Sequence, residues 1–377
     1  MGEPVKVGLL LHFFQPWWQY SHVLDEINQR CYRPFWELVD KSDAGFIGTV
    51  NVHYTLLKYW SDKDPETFER FRSALYKNKI EYVSTALHHP IVPLLPDKEI
   101  VKQMYFDTYW KNQMRIRANS RGFYFPEMAY SRRSLDVVRG FGNKWTVLED
   151  NVIAPDLVPF NYIYSYRGTA LFLRSHHWSK YIFDWHMDFN TFDRRMSSEL
   201  PNWIGRNKAY IVIATDAETF GHHNPGLGQS FLFPAISEWS KRGTLSRFES
   251  LAESFPLREV DGASLRETSW STEEEDVKNG TPYPLWKSNS CHELMWRLLG
   301  IAFKYTDREE AFIDGLQMAN SCHFWWVSRR PHFEPEIMWH GAWKAYNIVL
   351  RFGSEEDRAE VAKIVSAIKK ECAIVKK

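Results

Sequence analysis

The sequence lacks net charge. Its 47 Lys plus Arg are matched by 47 Asp plus Glu over 377 residues. A dedicated nucleic-acid binder needs a local excess of Lys and Arg against phosphate, and no basic or acidic tail stands out, so no nucleic-acid partner is expected. Cysteine is scarce. Cys31, Cys291, Cys322 and Cys372 show neither CxxC spacing nor the density of a disulfide scaffold, which points to a reducing compartment. Long apolar runs are also missing. Val7–Leu11 is too short for a secretory or membrane segment, and Met1-Gly2-Glu3-Pro4 is no basic leader. The expectation is a soluble cytoplasmic protein with no membrane partner. HExxH is absent, Gly226-Leu227-Gly228-Gln229 is too short for a phosphate loop, and no repeat or low-complexity linker is seen.

What the sequence has in excess is aromatic side chains, 16% of the chain, including 17 Trp. Trp is rarely fully buried and usually seeks a partner for its ring N–H. Seventeen therefore suit both large aromatic cores and a cleft lined with flat platforms. The length fits two to three domains, or one large α/β barrel with an appendage. Seven short runs read as strands: Val5–Leu11, Phe46–Val52, Glu81–Ala86, Gly122–Phe125, Lys144–Leu148, Thr169–Leu173 and Tyr210–Thr215. Helix-compatible stretches lie between several of them, including Pro65–Lys77, Asp97–Asn119 and Ser134–Gly140. This alternation predicts parallel β/α architecture, with a seven-stranded barrel preferred over an open doubly wound sheet.

From about Ser288 the pattern turns helical. Ser290 with Glu293 reads as a capping box opening a helix over Cys291–Lys304. Phe312, Leu316, Ala319, Cys322 and Trp326 recur at spacings of three and four, as on one face of a long helix. Ile337–Leu350 predicts a third helix, ended by Gly353, and Ser354 with Glu355, Glu356 and Asp357 opens a fourth that runs to about Ile374. The stretch from Glu273 to Gly280 reads as an exposed loop. The expected division is a barrel domain over residues 1–260 and a helical region over 261–377 that packs against it and contributes to the cleft.

In a barrel, function sits at the carboxyl ends of the strands. His12 follows the first predicted strand, Asn51 and His53 close the second, and His88-His89-Pro90, Glu127 and Asp216 each follow a later one. Ile211–Thr215 is a buried-strand pattern that runs straight into Asp216, so a carboxylate there is held by the sheet while it faces the mouth. The competing reading is a helix N-cap, or a charge paired with Arg206 or Lys208. Together with Glu127 it supplies the two carboxylates that glycoside cleavage requires, one to attack or activate water and one to protonate the leaving oxygen. Retention needs them about 5–5.5 Å apart, a distance no sequence fixes. The acid must also keep its proton near neutral pH, through burial or a neighbouring charge.

At these residues the chain resembles glycoside hydrolase family 57. His12-Phe13-Phe14-Gln15-Pro16 is similar to the family's HxHQP start. Gly122-Phe123-Tyr124-Phe125-Pro126-Glu127 resembles its Gly-x-Trp-Leu-Pro-Glu motif, and Asp216-Ala217-Glu218-Thr219-Phe220-Gly221 its Asp-Gly-Glu-x-Phe-Gly motif, in the same order. Glu267–Ser271 and Cys322–Trp326 are similar with less specificity. The resemblance implies a distorted TIM-like (β/α)7 barrel followed by a helical bundle, and no cofactor. It implies retaining hydrolysis or transglycosylation of α-glucosidic bonds in α-glucans or oligosaccharides, as in α-amylases and 4-α-glucanotransferases. Glu127 would be the nucleophile and Asp216 the general acid/base.

Two departures stand out. Phe14 replaces the second His of the start motif, and Ala217 replaces a Gly. Both candidate carboxylates survive, which favours an active enzyme with altered preference. The further candidates for substrate contact are His12, Gln15, Trp17, His53, Glu218, His222, His223, Trp270 and Trp286, with Trp18 a further possible platform. Each has an alternative in core packing, capping or charge pairing. Hydrolysis and transfer would be separated by loops within Trp185–Gly205 and Ser264–Trp286. Two other functions compete. A metal-dependent carbohydrate hydrolase or deacetylase would draw ligands from His12, His88, His89, Asp184, His186, Asp188, Asp216, His222 and His223. A non-catalytic carbohydrate-binding protein would bind sugar without turnover.

Overall fold

The computed structural model describes residues 5–154, 159–183, 187–204, 208–330 and 332–372, with no side-chain description for 201–204. The described chain contains nine strands: β1 (Lys6–Phe13), β2 (Gly48–Val52), β3 (Ile80–Tyr82), β4 (Gly122–Phe123), β5 (Trp145–Glu149), β6 (Ile163–Tyr166), β7 (Thr169–Arg174), β8 (Tyr210–Asp216) and β9 (Leu257–Glu259). The chain divides into two compact units. The first comprises residues 1–85, 108–124 and 138–266, and the second 86–107, 125–137 and 267–377. The second unit thus begins its long segment near the expected boundary, but it also draws two short segments from within residues 1–260.

The first unit carries every strand. One sheet has the order β3-β2-β1-β8 and the other β4-β5-β7-β6-β9. All pairings within the first sheet, and β4 with β5 and β5 with β7, are parallel. A parallel bridge from Ser84 to Phe123 continues the β3 side towards β4. Each of the seven predicted runs overlaps one of these parallel strands. The near-continuous burial of β1 explains why it reads as an unbroken apolar run: a parallel strand covered on both faces has no polar side to alternate with. Gly122 is required by close approach, because a Cβ there would lie 2.3 Å from the Trp145 ring on β5.

Two strands were not expected. β6 pairs antiparallel with β7, and β9 is exposed along its whole length, so no hydrophobic pattern marks it.

Part of the aromatic surplus fills cores. Phe13, Tyr32, Phe35, Trp36, Trp60 and Phe71 are all buried, with Phe35 and Trp36 rings 4.9 Å apart and Trp36 and Phe71 rings 5.2 Å apart in edge-on contact. Edge-to-face pairs of this kind add about 0.5–1.5 kcal/mol beyond area burial. The helix region Ser21–Lys41 is interrupted by a π-helical turn at Asn28–Tyr32, which places Cys31 and Tyr32 inward.

In the second unit, the helices Ser290–Ala302, Pro335–Phe352 and Glu355–Glu371 pack on one another. The Ser290–Glu293 capping box is corrected: Asn289 is the N-cap, its side chain accepting from the His292 amide. Ser354 caps the last helix as expected, accepting from the Asp357 amide. The predicted loop at Glu273–Gly280 contains a short helix, Glu274–Lys278, with a Glu273/Asp276 capping box. The long helix expected through Phe312–Trp326 is broken into Phe312–Gln317 and Cys322–Trp325. Asn320 and Ser321 leave the helix to bond the residue 88–90 segment: Asn320 Nδ2 donates to the His88 carbonyl at 2.8 Å and the Ser321 amide to the His89 carbonyl at 2.9 Å. Among the described residues, no helix is long and apolar enough to cross a membrane.

The cysteine reading also needs correction. Cys291 and Cys372 form a disulfide, their Cα atoms 6.0 Å apart and 81 residues apart in sequence. Spacing does not reveal it, because the pairing follows from two helices packing together. Closing a loop of that length removes unfolded-state entropy worth about 4 kcal/mol by the chain-entropy estimate. We therefore expect a thiol reductant to lower the melting temperature of the parent protein by several degrees, and Cys291→Ser to abolish that dependence. Equal melting with and without reductant would contradict a stabilising cross-link.

Candidate active site

The carboxyl ends of five parallel strands present a row of polar side chains in the first unit. Asn51 is in register with His12, and His12 with Asp216. Glu149, the last residue of β5, is in register with Arg174, the last of β7. Residues paired across a sheet project from the same face, so each register pair places its two side chains together.

Hydrogen bonds fix the members of this row. His12 Nδ1 lies 2.9 Å from Asn51 Oδ1, and Asn51 Nδ2 donates to the Val83 carbonyl at 3.1 Å. The amide orientation makes Asn51 Oδ1 an acceptor, so the His12 proton is on Nδ1. Burial pushes the His12 imidazole down to about 3, against the hydrogen bond that it donates to Asn51 Oδ1, so the ring is neutral at physiological pH. The ring stacks on Tyr124 at 4.5 Å. Arg174 Nη1 reaches both oxygens of Glu149, at 3.0 and 2.8 Å, and its Nε donates to the Ala214 carbonyl at 2.7 Å, two residues before Asp216. Burial pushes the Asp216 carboxyl up to about 7, with the Arg174 guanidinium pulling the other way. A carboxyl that titrates there can both give and take a proton near neutral pH.

The turn after β8 forms a second cluster. Glu218 Oε2 accepts from Gln15 Nε2 and, at 3.2 Å, from the Tyr32 hydroxyl; His223 Nε2 lies 3.4 Å from Glu218 Oε1. Gln19 Nε2 donates to Gln15 Oε1 at 2.9 Å. Gly221 has φ of +152°, and a Cβ there would lie 2.4 Å from the Arg30 carbonyl of the π-helical turn. Ala217 sits in a short 3-10 turn that needs no positive φ. Phe14 makes an edge contact with His53 at 4.9 Å and stacks on His12 at 5.9 Å.

In the second unit, Glu127 and Met128 both adopt left-handed backbone, with φ of 59° and 47°. Non-glycine residues pay about 1–2 kcal/mol each for that conformation, so the surroundings must enforce it. They do so through main chain: the Tyr130 amide donates to the Thr268 carbonyl and the Trp270 amide to the Glu127 carbonyl, at 2.8 and 3.1 Å. The same pairing aims the Trp270 indole, whose Nε1 donates to Glu127 Oε2 at 2.9 Å. Ser321 Oγ donates to Glu127 Oε1 at 3.2 Å, and His89 Nδ1 lies 3.7 Å from that oxygen. Both carboxylate oxygens are thereby met by neutral donors.

The structure therefore puts His12 and Asp216 side by side, joins Gln15, Glu218 and His223, and joins Glu127 to Trp270. It gives other sequence candidates different work. Trp286 is fully buried and presents no face to a sugar. His53 is buried and caps the helix Tyr54–Lys63, accepting from the Thr55 amide. His222 lies 3.9 Å from Glu26, and Trp17 is 36% exposed. Asp188 accepts from Thr191 at the start of the helix Phe189–Ile204. Asp184 and His186 lie outside the described residues, and the loop expected within Trp185–Gly205 is corrected: its described part is mostly the helix Phe189–Ile204. Among the described residues, no three His, Cys, Asp or Glu side chains gather as a metal-holding group. Glu149, Arg174 and Ser321 were not singled out from sequence. Glu149 and Arg174 do immediately follow predicted strands, the signal that would have found them.

A parallel α/β fold with strand-end polar groups and a raised carboxyl defines the class of this molecule. Its family follows from comparison: the chain belongs to glycosyl hydrolase family 57, whose sequence model matches residues 11–259. It is 24% identical over 153 residues to alpha-amylase 1 of Dictyoglomus thermophilum, covering 40% of this chain and 22% of that protein. It is 22% identical over 142 residues to 4-alpha-glucanotransferase of Thermococcus litoralis, covering 37% and 21%. The matched region thus spans only about a fifth of the length of such relatives.

Among solved structures, the Thermococcus litoralis 4-alpha-glucanotransferase superposes with a TM-score of 0.75 at 14% identity, over 93% of this chain and 60% of that one. A family 57 branching enzyme from Thermococcus kodakaraensis gives 0.74 at 13% identity, over 98% and 94%. At such identities the likeness is one of fold.

Proposed function

We propose that the protein is a retaining glycoside hydrolase or transglycosylase acting on α-glucosidic bonds of α-glucans or oligosaccharides. Glu127 is the nucleophile: it attacks the anomeric carbon to form a glycosyl ester as the bond to the leaving oxygen breaks. Asp216 gives its proton to that oxygen, then takes one from water or an acceptor hydroxyl, which cleaves the ester and returns the carboxyl to its starting state. The observation that carries this reading is the position of the Asp216 carboxyl at the end of β8, in register with His12 on β1; burial there raises the carboxyl above its ordinary value, as a general acid requires.

Family membership supports it, as do relatives named alpha-amylase and 4-alpha-glucanotransferase. His12, Gln15, Trp17, Glu218, His222 and His223 serve substrate contact in this proposal, and Trp270 serves through its indole beside Glu127. We further propose that the seven parallel strands close as a (β/α)7 barrel, that the C-terminal helices form a bundle, and that the protein works without a cofactor; the Cys291–Cys372 disulfide removes the cysteine argument for a reducing compartment.

The test is stereochemical. On maltooligosaccharides, proton NMR of newly formed reducing ends should show the α-anomer before mutarotation, since two displacements restore the starting configuration. Product sizes then separate hydrolysis from transfer. First appearance of the β-anomer would overturn the double displacement.

A further inference from the structure

We propose that Ser321 and His89 are positioning residues that act in series on the Glu127 carboxylate. The inference rests on the assignment of Glu127 as nucleophile. Ser321 Oγ stands 3.2 Å from Glu127 Oε1 and 2.9 Å from His89 Nδ1. A serine hydroxyl has one hydrogen. An ionised carboxylate only accepts, so that hydrogen goes to Glu127. His89 must then donate from Nδ1 to the Ser321 oxygen, which fixes its tautomer. His89 itself is 3.7 Å from Glu127 Oε1, too far for a hydrogen bond, so it acts through Ser321.

The backbone is built to hold this chain of donors. His89 is buried and left-handed, with φ of 52°. Its carbonyl accepts from the Ser321 amide, and Pro90 and Asn320 form an antiparallel bridge. Gln103 ties both sides together: its Oε1 accepts from the His88 amide and its Nε2 donates to the Leu316 carbonyl, each at 2.8 Å. The interruption between the helices Phe312–Gln317 and Cys322–Trp325 thereby has a purpose. A continuous helix would have used the Ser321 amide internally. Broken, it delivers the hydroxyl to Glu127 on the side opposite Trp270. Two donors on two different oxygens fix the plane of a carboxylate, which otherwise turns about its last bond. A nucleophile misplaced by about 1 Å loses on the order of 10²-fold in rate.

The test uses the full chain with Ser321→Ala, Ser321→Thr, His89→Asn and the Ser321→Ala/His89→Asn double variant. Turnover is measured on the maltooligosaccharide that the parent processes fastest, with melting temperatures alongside. Ser321→Ala should lower kcat about 10- to 100-fold and leave KM within about threefold, because the carboxylate is misaligned rather than the sugar released. Ser321→Thr keeps the hydroxyl and should recover most of the loss. His89→Asn suits the left-handed backbone and should lower kcat by about 10-fold. The double variant should be no slower than Ser321→Ala alone, since residues acting in series do not add.

Parental kcat in Ser321→Ala, no recovery in Ser321→Thr at parental melting temperature, or multiplying losses in the double variant would each overturn the proposal. If His89→Asn fails to fold, the Ala and Thr pair still decides it. A Glu127→Gln control separates the two failures. A control retaining turnover removes the nucleophile assignment itself, whereas a dead control beside a parental Ser321→Ala removes only the positioning role.

Discussion

Glu127→Gln should cut turnover of α-glucans by about 10³-fold or more while the protein stays folded. The amide is nearly isosteric with the carboxylate but cannot form the glycosyl ester, so the first displacement has no nucleophile. The hydrogen bonds around it show why folding should survive. Glu127 accepts from Trp270 Nε1 on one oxygen and from Ser321 Oγ on the other. A glutamine has one acceptor oxygen, and an indole N–H only donates, so the amide oxygen must face Trp270 and its NH2 must face Ser321. The Ser321 hydroxyl can turn to accept. One hydrogen bond is exchanged rather than lost, at a cost of about 1 kcal/mol or less. The check is a pair of measurements on one preparation: kcat on maltooligosaccharides and thermal melting. Near-parental turnover would end the nucleophile assignment, and a protein unfolded at assay temperature would contradict the hydrogen-bond argument.

The contrast between Glu127 and Ser321 shows what the linear chain reveals and what it hides. Glu127 comes two residues after the run Gly122–Phe125 and Asp216 one residue after Tyr210–Thr215, and such runs are legible because parallel strands bury both faces. β9 was illegible for the opposite reason, being exposed throughout. Ser321 lies 194 residues from Glu127, within a stretch whose apolar spacing reads as helix, and only the pairing with residues 88–90 takes it out of that helix. The Arg174–Glu149 pair was hidden differently. Each residue immediately follows a predicted strand, but their partnership depends on β7 lying beside β5, a register that periodicity does not encode. Trp286 failed as a candidate because ring count says nothing of depth. It is fully buried, whereas Trp17 is 36% exposed.

Asp216→Asn should cost about 10²- to 10⁴-fold in turnover on substrates with a poor leaving group, the usual range for one general acid/base. It should also change the pH dependence of both activity and stability. With the carboxyl titrating at about 7, its protonated form, the one that donates to the leaving oxygen, is lost as pH rises through that value. Parental kcat/KM should accordingly fall on the alkaline side with an apparent pKa near 7, and that limb should vanish from the residual activity of the variant.

Stability runs the same way. The folded value lies above the ordinary 3.8, so the folded state holds a proton that the unfolded chain releases. This contribution is complete below about pH 4 and disappears as pH rises to about 7, because burial then opposes the ionised form. Asparagine never ionises. The melting temperature of Asp216→Asn relative to the parent should therefore rise between about pH 4 and 7 and level off above, so that the inactive protein is the more stable one at pH 8. Melting curves across that range test the sign directly. A variant that loses stability relative to the parent as pH rises would show that Asp216 is held in the fold as a charged group, and would remove the physical basis for its role as the acid.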